Sequence, residues 1–145
     1  MDIYTIGFTH KSAQQFFASL RQAGIRRLVD VRLKNVSQLA GFTKKDDLAF
    51  FLKEICRAEY RHEPLLAPTE ELLDDVKKGK ESWLEYERKF LALLAERRIE
   101  EHIHRHLFEV PTVLLCSEAT PERCHRRLIV EYLAGTWGDV KPVHL

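Results

Sequence analysis

Short apolar runs alternate with amphipathic helical segments along this chain, a pattern typical of an α/β domain. Runs rich in apolar and β-branched residues predict strands at positions 3–6, 28–31, 60–62, 113–115 and 140–144. Apolar residues at helical spacing predict helices that follow Ser12, Thr43 and Thr120, and two more at positions 70–78 and 82–99. The pattern predicts a single three-layer α/β domain over residues 1–145, with a mostly parallel sheet flanked by helices.

Local signals agree with these boundaries. Ser12 with Gln15 three residues later forms a capping-box sequence at the start of the first helix. Thr120 can cap the helix after the fourth strand, and Pro121 suits its first position. Pro142 lacks a backbone donor, so the last strand is expected at an edge of the sheet.

Composition narrows the classes of protein. The chain has 145 residues, of which 45% are hydrophobic and 31% charged, as in ordinary soluble domains. Its net charge of +1 argues against a protein that simply coats nucleic acid. No apolar run approaches the roughly 20 residues of a membrane span, and the N-terminus lacks a signal-like segment. Three cysteines are too few for a disulfide framework, so we expect a cytoplasmic protein with no membrane partner.

Residues that can carry chemistry cluster where strands are predicted to end. Asp30 and Arg32 lie at the end of the second strand, and Cys116 ends the fourth. Cys124 and His125 are expected in the first turns of the next helix, where free N–H groups and the helix dipole favour negative charge. Ligands of parallel α/β sheets bind at the carboxyl ends of the strands, so these residues are predicted to converge in one cleft.

The same stretch carries a family resemblance. CSEATPERCHRRL resembles the C-terminal signature of the bacterial and archaeal domain-of-unknown-function 488 (DUF488) family, and IYTIGFTHKSAQQF, LVDVRLKNVSQLAGFTKKDDL and LAPTEELLDDVKKGKESWLEYE resemble its earlier motifs in order. Many members have a His directly after the first Gly, whereas this chain reads Gly7-Phe8-Thr9-His10. The resemblance implies an α/β fold and a polar site, and it supplies no reaction.

Within the predicted cleft each residue type suggests a role. We expect Glu118 or His125 to transfer protons, with Asp30 a further acidic group. Cys124 is the preferred nucleophile because basic residues flank it, and Cys116 is a second thiol. The candidate anion-binding residues are Arg32, Arg126, Arg127 and His10.

Each assignment has a structural alternative. Asp30 and Arg32 can form an internal ion pair that orders the following loop. Cys116 can simply pack at the end of its strand. Arg123, Arg126 and Arg127 make a compact basic patch that can instead pair with nearby acids, namely Glu118, Glu122 and Glu131.

No metal or cofactor is expected. Adjacent side chains on a helix diverge by about 100°, so Cys124 and His125 would reach one ion only with difficulty. The usual zinc spacings are missing. His102, His104 and His106 alternate, but a polar helix end explains them better than a ligand set.

Three functions follow from these observations. The first is a small enzyme acting on an anionic substrate, nucleotide-like or nucleic acid. The second is a non-catalytic module that binds a phosphate-bearing ligand or nucleic acid through the same basic residues. The third is rhodanese-like thiol chemistry, because LVDVR and a strand ending in Cys occur in those sulfurtransferases. Their catalytic loop has an Arg six positions after the Cys, where this chain has Glu122.

Overall fold

A computed structural model describes residues 1–35, 41–118 and 123–145. The strands are β1 (Asp2–Gly7), β2 (Arg27–Asp30), β3 (Glu59–His62), β4 (Thr112–Cys116) and β5 (Lys141–His144). The α-helices are α1 (Ala13–Gln22), α2 (Lys45–Phe51), α3 (Glu70–Lys77), α4 (Trp83–Arg97), α5 (Ile99–His102) and α6 (His125–Trp137). A π-helical turn, Leu52–Cys56, continues α2, and 3-10 turns cover Gly41–Thr43, Pro64–Leu66 and Arg105–Phe108.

The five strands form one sheet in the order β3-β2-β4-β1-β5, and every neighbouring pair is parallel. The central strand is β4, which lies between β2 and β1. All five residues of β4 are buried, as expected for a strand covered on both faces. β5 is an edge strand, which confirms the position predicted from Pro142.

Helices cover both faces of the sheet and make the predicted three layers. Successive side chains of a strand point to opposite faces. Leu114 and Cys116 of β4 therefore join the core cluster that contains the apolar residues of α4 and α6. Val113 and Leu115 join the second cluster, which contains those of α1 and α2. Within the described residues, no helix combines the length and apolar character needed to cross a membrane.

Helix starts agree only in part with the sequence. Ser12 caps α1 as predicted: its hydroxyl accepts from the Gln15 N–H at 3.1 Å, and the Gln15 side chain accepts from the Ser12 N–H at 2.9 Å. The helix predicted to follow Thr43 is α2, which begins at Lys45 with Lys44 as its N-cap; Thr43 itself is buried in a 3-10 turn and does not cap the helix. The predicted cap at 120 and helix start at 121 lie outside the described residues; the helix they were assigned to begins at His125.

Candidate functional site at the carboxyl edge of the sheet

The strand ends that carry the predicted site meet at one edge of the sheet, which we call the carboxyl edge. Gly7 of β1 is in register with Cys116 of β4, and Asp30 of β2 with Leu115. The Val31 N–H donates to the Leu115 carbonyl at 3.1 Å. The predicted placement of Asp30 and Cys116 at the same end of the sheet is therefore confirmed.

Gly7 is the point of closest approach at this edge. A Cβ at this position would lie 1.5 Å from the Glu118 carbonyl oxygen and 2.4 Å from Nη1 of Arg126. No side chain fits such a space, so this position requires glycine. The loops that follow β1 and β4 are also tied directly, because the Thr9 N–H donates to the Ser117 carbonyl at 3.0 Å.

Asp30 and Arg32 form a buried ion pair. Arg32 donates to both carboxylate oxygens at 2.8 Å, from Nε to Oδ1 and from Nη2 to Oδ2. Tyr60 donates its hydroxyl to Oδ2 at 2.6 Å, and burial, followed by this contact with Asp30, raises the pKa of Tyr60. Nη2 of Arg32 also donates to the Thr43 carbonyl at 2.6 Å. These contacts are those of the alternative interpretation, in which the pair orders the loop after β2.

Part of Arg32 is left without a partner. Its guanidinium lies over the Phe8 ring, 5.5 Å from the ring centre, and the residue is 3% exposed. The Nη1 atom is buried and has no hydrogen-bond partner among the described residues. A buried unsatisfied donor costs about 1–3 kcal/mol, more when it is charged. Arg32 therefore has spare capacity for one acceptor.

Cys116 and Cys124 are joined in a disulfide, which the odd cysteine count did not predict. The two residues are 1% and 2% exposed. They meet because β4 ends at Cys116 and α6 starts beside it, with Cys124 as its N-cap residue. In a parallel sheet the next helix begins near the end of its own strand, which brings residues eight apart in sequence together.

His125 is the first residue of α6 and is 8% exposed. Its Nε2 lies 2.7 Å from the Val31 carbonyl oxygen, and its ring packs edge-to-face on Phe90. A carbonyl only accepts, so Nε2 carries the proton. Burial lowers the pKa of His125 to about 4, and the imidazole is neutral at neutral pH with Nδ1 as its lone-pair atom.

Among the described residues, Arg126 has the largest side chain that is fully buried. Its Nη1 lies 3.4 Å from Sγ of Cys116 and donates to the Glu118 carbonyl oxygen. Lys11 is close by, since its ammonium donates to the Gly7 carbonyl at 2.9 Å. Burial, and then the charge of Arg126, lower the pKa of Lys11. Two cations therefore share the space around the end of β1.

The remaining predicted residues lie further out. Glu118 is exposed, and only its backbone carbonyl is drawn into the cluster. His10 is exposed in a turn with φ of 63°. Arg127 donates to Glu131 at 2.7 Å, which is one of the acidic partners that the sequence offered for the basic patch. It also donates to Glu87 of α4 at the helix interface, a partner that the sequence did not suggest.

Sequence reasoning missed two members of the cluster, Lys11 and Tyr60. Lys11 comes four residues after Gly7, the last residue of β1. From that position its long side chain can return to the end of the strand. Tyr60 lies on β3 in register with Leu28, two residues before Asp30. Residues two apart on a strand share a face of the sheet, so Tyr60 lies on the same face as Asp30. The sequence could have shown this only if the pairing of β3 with β2 had been known.

Comparison with known proteins adds the family. A family model described as domain of unknown function DUF488 matches residues 12–133. No curated protein and no solved structure matches the chain.

Proposed function

Since the chain belongs to the DUF488 family, we propose its function from the site itself: a small enzyme that acts on an anionic substrate at the carboxyl edge. The observation that carries the proposal is the fully buried Arg126 guanidinium, 3.4 Å from the sulfur of Cys116. A cation beside a sulfur stabilises the thiolate, which is the nucleophilic form of cysteine. The same cation, with Lys11 nearby, suits an anionic group.

The contacts show which of the predicted catalytic residues already have structural partners. Asp30 is fully used by Arg32 and Tyr60, so it positions the loop rather than exchanging protons. His125 has its Nε2–H donated to the Val31 carbonyl. The two sulfurs are then the reactive atoms in the reduced protein. The proton-transfer role of Glu118 stays a prediction, since its side chain is exposed and its backbone carbonyl is what contacts Arg126.

The disulfide supports a reactive pair. The sequence leads us to expect a cytoplasmic protein, and the few disulfides of cytosolic proteins are usually transient, catalytic or redox-sensing. In this proposal the disulfide is the resting form. Two equivalents of a cellular thiol reduce it to two thiols and are themselves oxidised to a disulfide, and loss of a proton from one protein thiol then gives the nucleophilic thiolate. The buried position of the site favours a small anionic group, such as a phosphate or carboxylate, over the backbone of a long nucleic acid.

Alkylation of the reduced protein tests the proposal, with Cys56 as an internal reference. Burial raises the pKa of the Cys56 thiol, and no disulfide involves it. The protein is reduced with a phosphine in the presence of a metal chelator and treated with iodoacetamide at neutral pH, and each cysteine is followed by peptide mass spectrometry. We expect Cys116 or Cys124 to react faster than Cys56, and inorganic phosphate to slow that reaction.

Two neighbouring arginines provide a matched pair of variants. Arg126→Lys removes the guanidinium beside Cys116, and we expect phosphate protection to be lost. Arg127→Lys makes the same change one residue away, where the side chain pairs with Glu87 and Glu131, and protection should remain. Equal loss in both variants would contradict the assigned role of Arg126.

The burial of the sulfurs favours a second candidate, the non-catalytic anion-binding module. Cys116 and Cys124 are almost fully buried, and a nucleophile must be reached by its substrate. If phosphate binds but neither cysteine reacts faster than Cys56, the module is the function. The third hypothesis, sulfur transfer, needs a loop of backbone donors after Cys116; positions 119–122 of that loop lie outside the described part of the chain.

A further inference from the structure

The sulfur atoms of Cys116 and Cys124 and one ring nitrogen of His125 lie within 4.8 Å of one another, and all three residues are buried. We propose that these residues, when the cysteines are reduced, bind a zinc-class divalent ion. Two thiolates and one imidazole are a ligand set that Zn²⁺ prefers over harder cations. The inference does not depend on the proposed enzyme activity, because a non-catalytic module could hold the ion equally well.

The local backbone allows both neighbouring residues to reach one ion. Within a continuous helix, the side chains of Cys124 and His125 would point about 100° apart. Cys124 is instead the N-cap, with φ of −136° and ψ of 139°, and α6 begins at His125. Because the first of the two residues is extended, the 100° divergence does not apply to them.

His125 already has the outer hydrogen bond of a metal-binding histidine. Such histidines usually donate their second ring N–H to a carbonyl or carboxylate, which fixes the ring and its tautomer. Nε2 of His125 makes this bond with the Val31 carbonyl at 2.7 Å. The other ring nitrogen, Nδ1, then carries the lone pair and is the atom that we assign to the ion.

Cys116 has a corresponding outer contact, from Nη1 of Arg126 at 3.4 Å. The α-carbons of Cys116 and Cys124 are 7.3 Å apart, whereas those of ordinary disulfides are about 4.4–6.8 Å apart. A shared ion separates the two sulfurs, each at about 2.3 Å from the metal. The spacing of the backbone therefore suits two thiolates on one ion.

Charge and electrons balance in this scheme. Reduction adds two electrons and two protons to the disulfide. In vitro a phosphine supplies the electrons and becomes its oxide, while water supplies the oxygen of the oxide and the two protons. Each thiol then releases its proton to solvent as its sulfur binds the ion. A dipositive ion with two thiolates and a neutral imidazole has no net charge, which lowers the cost of burying it. The disulfide and the metal exclude each other because both use the same sulfurs.

Three protein ligands leave one position of a tetrahedral ion open, as in catalytic zinc sites. Arg126, beside Cys116, would direct an anionic group toward that position.

Cobalt substitution tests the site in the full-length protein. The protein is reduced with a phosphine, freed of metal with a chelator, and titrated with Co²⁺ under argon, and Zn²⁺ is then added. We expect one Co²⁺ per chain, with thiolate-to-cobalt charge-transfer bands and the visible bands of a tetrahedral ion, and their loss when Zn²⁺ displaces cobalt. The oxidised wild-type protein, which has the same sequence, should show neither.

Variants assign the ligands. Cys116→Ser, Cys124→Ser and His125→Gln should each weaken Zn²⁺ binding by at least about 100-fold, more than the loss of an outer-shell group. Cys56→Ser should bind as the wild type does. The inference is overturned if the reduced wild-type protein shows no cobalt–thiolate bands, or if the bands persist unchanged in Cys116→Ser, Cys124→Ser or His125→Gln. The alkylation test is run with a chelator, so either proposal can fail without the other.

Discussion

Replacing Gly7 with alanine tests the packing of the carboxyl edge directly. The added methyl group would lie 1.5 Å from the Glu118 carbonyl oxygen and 2.4 Å from Nη1 of Arg126. Overpacking of this kind costs about 1–3 kcal/mol. A displaced Glu118 carbonyl also loses its hydrogen bond from the buried Arg126 cation, and a bond to a charged group contributes about 1.5–3 kcal/mol. We therefore expect Gly7→Ala to lower the free energy of unfolding by about 3–5 kcal/mol.

Urea unfolding with reductant present measures this change, using the fluorescence of Trp83 and Trp137. With an m-value of about 1.5 kcal/mol/M, the midpoint should fall by about 2–3 M. Gly135→Ala is the matched control, because Gly135 lies within α6 with no atom within 4 Å of the added Cβ. It should gain about 0.5–1 kcal/mol from helix propensity. A Gly7→Ala protein within about 1 kcal/mol of wild type would refute the close-approach argument.

Two ion pairs, Asp30 with Arg32 and Glu59 with Arg27, give the remaining predictions. Asp30→Asn leaves the Arg32 cation buried without its partner and should cost about 3–5 kcal/mol in urea unfolding. Asp30→Asn with Arg32→Met should cost less than the sum of the single changes, and simple additivity would contradict the pairing. At the other end of β2, the Arg27 hydrogen bond lowers the pKa of the Glu59 carboxyl. A depressed carboxyl pKa adds stability above the unfolded-state value of about 4.3 that is lost as the pH falls through the folded-state pKa. In Arg27→Met, NMR titration should therefore show a higher Glu59 pKa. The free energy of unfolding should also change less as the pH falls below about 4.3. The difference from wild type should be less than about 1 kcal/mol, because Glu59 is half-exposed.

The parallel α/β pattern was enough to predict that Asp30 and Cys116 lie at the same edge of the sheet. The apolar runs that end near Asp30 and Cys116 predict strands. Parallel strands have their carboxyl ends at one edge of the sheet, so the two residues lie near each other if their strands are neighbours. The insertion of β4 between β1 and β2 was not predictable in the same way. Strand order depends on long-range pairing, and local periodicity carries no information about it.

The basic patch shows why individual side-chain roles were harder to predict. Arg126 and Arg127 are adjacent in sequence, and both were assigned to anion binding. Successive helix residues point about 100° apart. Arg126 therefore turns inward to Cys116, while Arg127 meets Glu87 of α4. The rotation of a helix about its axis decides such roles, and it is set by packing against the sheet.

The positions of Gly7 and Arg126 depend on each other. Arg126 reaches the end of β4 only because Gly7 has no Cβ in its path, and the Glu118 carbonyl occupies the same space. In the sequence, Gly7 and the segment from Cys116 to Arg126 are separate features, and more than 100 residues lie between them. The sheet register that pairs Gly7 with Cys116 joins them into one unit. Whether the reduced sulfurs attack a substrate or hold an ion, the cation beside them is placed by that register, and so the chemistry of the cysteine pair depends on the first turn of the chain.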